Sequence, residues 1–130
     1  MKALVVDDDF SNRLLLQRFL SELGEVHVAV NGEEAVEAVR QALVSNEPYQ
    51  LICLDILMPE LDGQRTLQII RELEGQYGVA THHHSKVVMT SALGDKDNVM
   101  EAFREQADAY LVKPVQKPKL FDTVRPWGLA

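Results

Sequence analysis

Short apolar runs alternate with stretches of helical period along most of the chain. Ala3-Leu4-Val5-Val6 is apolar at every position and ends in Asp7-Asp8-Asp9. A run this short and this continuous is the pattern of a strand covered on both faces. Leu14, Leu15, Leu16, Phe19, Leu20 and Leu23 then recur at helical spacing, and Gly24 is expected to cap that helix. Val26, Val28 and Val30 predict a second strand, and Asn31-Gly32 a turn. Ala35, Val36, Val39, Ala42 and Leu43 predict a second helix, with Glu33 and Glu34 in a first turn where the helix dipole favours acids.

The alternation continues. Leu51-Ile52-Cys53-Leu54 predicts a third strand and ends in Asp55. A loop through Pro59 and Gly63 leads to a helix carrying Leu67, Ile69, Ile70 and Leu73, and the polar stretch from Glu74 to Ser85 reads as a loop. Val87-Val88-Met89 predicts a fourth strand ending in Thr90; Val99, Met100, Ala102 and Phe103 predict a fourth helix. Ala109-Tyr110-Leu111-Val112 predicts a fifth strand ending in Lys113-Pro114, and a short helix from about Pro118 is stopped by Pro126. Strands alternating with helices predict an α/β fold, a doubly wound parallel sheet with helices on both faces. A length of 130 residues fits a single domain over residues 1–130.

Charge narrows the function. Lys and Arg number 13 against 20 Asp and Glu, a net charge of -7, which argues against direct binding to nucleic acid or an anionic membrane. No run approaches the ~18 apolar residues of a membrane span, and the start turns acidic too soon for a secretory signal, so a cytoplasmic location is expected. The single cysteine, Cys53, sits inside an apolar strand and reads as an inert core thiol. His82-His83-His84 falls in a polar stretch and reads as a solvated loop.

The residues that end the apolar runs carry the chemistry. Parallel sheets of this kind bind ligands at the C-terminal ends of their strands. There the pattern gathers Asp7, Asp8, Asp55, Thr90 and Lys113. Converging carboxylates repel unless a cation neutralises them, and Mg2+ suits an oxygen-only donor set. A hydroxyl and an ammonium alongside suit a tetrahedral anion over one carboxylate. Phosphoryl transfer onto an aspartate is the reaction these groups fit.

Four segments make the resemblance specific: Val5-Val6-Asp7-Asp8, Asp55-Ile56-Leu57-Met58-Pro59-Glu60-Leu61-Asp62-Gly63, Met89-Thr90-Ser91 and Ala109-Tyr110-Leu111-Val112-Lys113-Pro114. In this order and spacing the chain resembles a receiver domain of the two-component response regulators, of the stand-alone, chemotaxis-regulator-like kind. The resemblance implies a flavodoxin-like five-stranded sheet of order 2-1-3-4-5. It implies Asp55 as phosphoacceptor. Mg2+ would be held by Asp8, Asp55 and the backbone carbonyl of Leu57, with Asp7 acting mostly through water. Thr90 would bond the phosphoryl group, Tyr110 would be the aromatic switch, and Lys113, before a cis Lys113–Pro114 bond, would pair with Asp55 or the phosphoryl group. The donor would be a sensor histidine kinase or histidine phosphotransfer protein. Output would pass to a downstream protein target, and the domain's own catalysis would be limited to its phosphorylation and dephosphorylation. The side chains two positions after Asp55 and Thr90, Leu57 and Ala92, would flank the approach of the hydrolytic water. Neither is polar, which implies slow loss of phosphate.

Other readings of the same residues remain. Asp7-Asp8-Asp9-Phe10-Ser11 weakly resembles a nucleophile motif of the haloacid-dehalogenase type, which would make the protein a Mg2+-dependent aspartyl-phosphate phosphohydrolase; the short chain and the fuller motif after Asp55 count against it. A binding module that is never phosphorylated would not need all five polar groups. Taken alone, Asp9 reads as an acid at a helix N-terminus, and Gly63 as a source of backbone freedom near a helix start. Two departures from the family pattern stand out: Gln106 where a glycine commonly ends the fourth helix, and a short last helix. Trp127 after it would pack back on the domain or anchor a partner.

Overall fold

The computed structural model describes residues 1–92 and 107–130. Five parallel strands, β1 (Lys2–Val6), β2 (Glu25–Ala29), β3 (Leu51–Asp55), β4 (Lys86–Ser91) and β5 (Ala109–Val112), form one sheet in the order β2-β1-β3-β4-β5. Helices α1 (Phe10–Ser21), α2 (Gly32–Val44), α3 (Gly63–Gln76) and α4 (Lys117–Val124) pack on it. The predicted helix around Val99–Phe103, and Gln106, lie outside the described residues.

The period of two along each strand explains why both faces are covered. Leu4, Val6, Ile52, Leu54, Val87 and Met89 face one side and pack with Val39 of α2 and Leu67 and Ile70 of α3. Ala3, Val5, Leu51, Cys53, Val88 and Leu111 face the other and pack with Leu16 and Leu20 of α1 and Leu120 and Val124 of α4. Leu4, Leu54 and Met89 are fully buried, and each such side chain contributes about 1.5–3 kcal/mol. Burial also pushes the Cys53 thiol up to about 12, which keeps it inert. The Lys113–Pro114 bond is cis.

Local chemistry differs from the sequence expectation at several points. Gly24 does not cap α1: Glu22 does, and a Cβ on Gly24 would lie 2.1 Å from the Met1 carbonyl oxygen, so close approach explains the glycine. Asn31-Gly32 is not a turn of its own. Asn31 is the N-cap of α2, its side chain accepting from Glu34 N–H at 2.8 Å, and Gly32 is the first helical residue. Glu74 belongs to α3 rather than to a loop, and it is buried. His82 and His83 are exposed in a short 3-10 turn (Thr81–His83), but His84 is partly buried, its Nε2 3.1 Å from the Val79 carbonyl. Pro126 ends α4 as expected, and the chain continues through a 3-10 turn (Arg125–Trp127) that lays Trp127 against the α1–α4 side of the core.

Candidate functional site

The ends of β1, β3, β4 and β5 meet at one edge of the sheet. Pairing of β3 with β4 sets Asp55 opposite Thr90, and Ile56 N–H donates to the Thr90 carbonyl at 3.0 Å. Lys113 follows β5, held by its N–H to the Ser91 carbonyl at 2.7 Å. The loop after β1 is fixed by Asp9, which caps α1 by accepting from Asn12 N–H at 3.0 Å. Asp9 N–H donates in turn to Asp7 Oδ1 at 2.9 Å, and Arg13 Nη1 donates to the Asp7 carbonyl at 2.9 Å. Asp9 therefore does the capping work expected of it, while Asp7 and Asp8 are left at the sheet edge.

The loop after Asp55 is tied back to the sheet. Gly63 N–H donates to the Ile56 carbonyl at 2.8 Å, and Asp62 caps α3 by accepting from Arg65 N–H at 2.8 Å. A Cβ on Gly63 would stand 2.1 Å from the Asp55 carbonyl oxygen. Its φ is not positive, so the expectation of backbone freedom is replaced by close approach of helix to strand. Within the same loop Glu60 takes a left-handed φ of 65°.

Five of the sequence-selected residues come together. Asp7, Asp8 and Asp55 each present an oxygen, and these atoms all lie within 4.8 Å of one another. Lys113 Nζ is 3.0 Å from Asp7 Oδ2 and 3.1 Å from Asp55 Oδ1. Asp7 and Asp55 are buried, Asp8 is exposed, and no side chain among the described residues pairs with Asp8. Leu57 N–H donates to Asp55 Oδ1 at 3.3 Å, while the Leu57 side chain is exposed. Thr90 Oγ1 is buried with no hydrogen-bond partner among the described residues. Tyr110 lies on β5 at 44% exposure.

Charge at this edge is unbalanced. Burial, reinforced by repulsion from Asp7, pushes the Asp55 carboxyl up to about 6, against the opposing pull of Lys113 and the Leu57 N–H. Burial acts to lower the Lys113 pKa, but hydrogen bonding and attraction from Asp7 and Asp55 outweigh it and leave it raised. One ammonium faces two buried carboxylates and a third, exposed one. That surplus of oxygen ligands, with no Cys or His among them, fits a hard divalent cation. The orphaned Thr90 hydroxyl, 1% exposed, fits a ligand oxygen that would complete its hydrogen bonding.

Sequence reasoning missed a second polar cluster at the other end of the sheet. Glu74 Oε1 is 2.8 Å from Arg71 Nη1, and its Oε2 accepts from Ser85 N–H at 2.7 Å. Asp108 Oδ2 accepts from Val87 N–H at 2.8 Å and lies 3.2 Å from Arg71 Nη2. The Arg71–Glu74 spacing, three apart on a helix, was the one local signal for it.

Comparison with known proteins agrees with this geometry. Residues 3–125 match the response regulator receiver domain family. The chain is 37% identical over 112 residues to the Staphylococcus aureus transcriptional regulatory protein SrrA, covering 85% of this chain and 41% of that one. It is 30% identical over 122 residues to the Saccharomyces cerevisiae osmosensing histidine protein kinase SLN1, covering 92% of this chain and 9% of the kinase. The chain therefore spans less than half the length of either relative. Among solved structures it resembles the receiver domain of the Arabidopsis thaliana histidine kinase CKI1 complexed with Mg2+ and BeF3-. The TM-score is 0.81 and the identity 30%, covering 96% of this chain and 87% of that one. For the Vibrio cholerae chemotaxis protein CheY4 the TM-score is 0.80 and the identity 25%, covering 96% of each chain. The sheet order, the converging carboxylates and these likenesses agree, and the chain belongs to the response regulator receiver domain family, the receiver module of two-component systems.

Proposed function

We propose that residues 1–130 act as one receiver unit that takes a phosphoryl group onto Asp55 from a phosphohistidine. The observation that supports this most strongly is the set around Asp55: a buried carboxylate 3.1 Å from Lys113 Nζ, opposite a buried Thr90 hydroxyl without a hydrogen-bond partner among the described residues. Asp55 Oδ would attack phosphorus as the bond from phosphorus to the donor imidazole nitrogen breaks, giving an acyl phosphate and an imidazole that takes its proton from water. The Lys113 ammonium and Thr90 hydroxyl would donate to the phosphoryl oxygens, where their fixed positions cost little reorganisation.

Asp7, Asp8, Asp55 and the Leu57 carbonyl would hold Mg2+. When bound, that ion supplies positive charge against the phosphoryl oxygens and favours the ionised, nucleophilic form of Asp55. Exposed Asp8 is read as a direct ligand, and Asp7, already committed to Lys113 and Asp9 N–H, as acting through water. Once Thr90 turns to the phosphoryl group, the space it leaves would admit the Tyr110 ring. The donors read from this are a histidine kinase or a histidine phosphotransfer protein, with a downstream protein receiving the signal. No helix among the described residues is long and apolar enough to cross a membrane.

The test is mass spectrometry after incubation with acetyl phosphate and Mg2+. One phosphoryl group is expected on wild type, mapping to Asp55 and absent from Asp55→Asn. Full labelling of Asp55→Asn, or mapping to Asp7, would overturn the assignment, the latter in favour of a phosphohydrolase of the haloacid-dehalogenase type.

A further inference from the structure

A second concave region opens at the end of the sheet opposite Asp55. It is a cleft of about 640 Å3 between the residues that precede β3, the α3–β4 connection and the turn that follows α4. Sites for small molecules commonly occupy about 300–1,000 Å3.

The lining of this cleft departs from the charge of the chain. Acidic residues outnumber basic ones 20 to 13 overall, yet the described lining contains Lys86 and His82, His83 and His84 and no Asp or Glu. Lys86 is weakly held. Among the described residues the carboxylate oxygen paired with its Nζ, Asp108 Oδ1, is 3.9 Å away, and the other oxygen of Asp108 is already taken by Arg71 and Val87 N–H. Aromatic surface lies beside this charge. Tyr77 is 46% exposed, and the Trp127 ring centroid is 5.8 Å from Lys86 Nζ.

The wall is also preformed. Buried Glu74 grips Ser85 N–H, and His84 Nε2 is fixed at the Val79 carbonyl, so the loop carrying the histidines is tied to α3. A preorganised wall lowers the cost of ordering on binding. The histidines do not form a metal cage: the one described cluster that brings three such donors together is Asp7, Asp8 and Asp55.

We propose that this cleft binds a small anion carried on a planar aromatic ring, of the size and chemistry of a nucleoside monophosphate. Lys86 and the exposed imidazoles of His82 and His83 meet the phosphate, and Tyr77 and Trp127 meet the ring. The cleft lies away from Asp55, so binding does not depend on phosphorylation.

The test is amide NMR of the full chain, titrated with adenosine, guanosine, cytidine and uridine monophosphates in turn. Trp127 is the single tryptophan, so its indole N–H reports the cleft unambiguously. At least one nucleotide is expected to shift that signal saturably, with a millimolar or tighter dissociation constant. Inorganic phosphate and the matching nucleoside should each bind about tenfold more weakly, as should Lys86→Gln and Tyr77→Ala. The proposal is overturned if no nucleotide gives a saturable shift, if inorganic phosphate alone binds equally well, or if both cleft variants bind undiminished while retaining the wild-type spectrum elsewhere.

Discussion

Two buried carboxylates sit at opposite ends of the same sheet and are treated in opposite ways. Glu74 has a partner for each oxygen, Arg71 on one and Ser85 N–H on the other, and Arg71 reaches on to Asp108. Asp55 shares a single ammonium with Asp7, stands in a three-carboxylate cluster, and faces a hydroxyl that bonds to nothing described. The first arrangement is a clamp in which both carboxylate oxygens find partners within the fold. The second is held in place by strand register although its charges are unbalanced, and its donors fit a cation and an anion from outside. Buried charge that is fully paired serves the fold, whereas buried charge left in surplus marks the site of chemistry.

The largest effect is expected at the clamp. Glu74→Gln leaves the Arg71 guanidinium, 10% exposed, with the more exposed Asp108 carboxylate as its remaining close anion. Urea unfolding should show a loss of about 3 kcal/mol. A loss below about 1 kcal/mol would class the pair with ordinary surface ion pairs and erase the contrast.

At the other end, Mg2+ should stabilise the protein by about 2.7 kcal/mol at a hundredfold excess over its dissociation constant. Asp8→Ala should weaken that binding more than Asp7→Ala, because Asp7 is already engaged by Lys113 and Asp9 N–H. Metal titration of both variants checks this, and equal losses would remove the distinction between a direct and a water-mediated ligand.

A smaller effect concerns the lifetime of the acyl phosphate. The exposed Leu57 and Ala92 side chains offer no hydrogen bond to an attacking water. Leu57→Asn combined with Ala92→Glu should speed dephosphorylation about tenfold, a barrier change of only ~1.4 kcal/mol. Following phosphate loss after removal of the donor tests it; a wild-type rate as fast as the double variant's would contradict it.

The difference between the two ends also explains what was legible in the sequence. Asp7, Asp55, Thr90 and Lys113 stand where apolar runs stop, so strand periodicity alone brought them to one edge, and the motif after Asp55 pointed to the chemistry. The clamp gave almost no such signal. Glu74 is polar and lies in a polar stretch, and its partner Ser85 and the Asp108 that meets Arg71 are residues that periodicity cannot bring near it. The glycines failed for a related reason. Gly24 and Gly63 are required by a neighbouring backbone 2.1 Å from where a Cβ would stand, a contact between distant segments rather than a local turn preference. His84 follows two exposed histidines in sequence, and only the Val79 carbonyl and the buried Glu74, both reached through the fold, set it apart from them.

The contrast is tested most directly by the unfolding free energy of wild type and Asp55→Asn across pH, first in chelator and then in Mg2+. The Asp55 pKa is raised from its ordinary 3.8 to about 6 in the folded protein. Its contribution is therefore fully present below pH 3.8 and is lost as pH rises through about 6. Above that pH, without metal, Asp55→Asn should be the more stable protein by about 3 kcal/mol. Below pH 4 the gap should close, and saturating Mg2+ should close or reverse it at neutral pH. A variant less stable than wild type at neutral pH in chelator would contradict this, because Asp55 would then be as fully satisfied by the fold as Glu74.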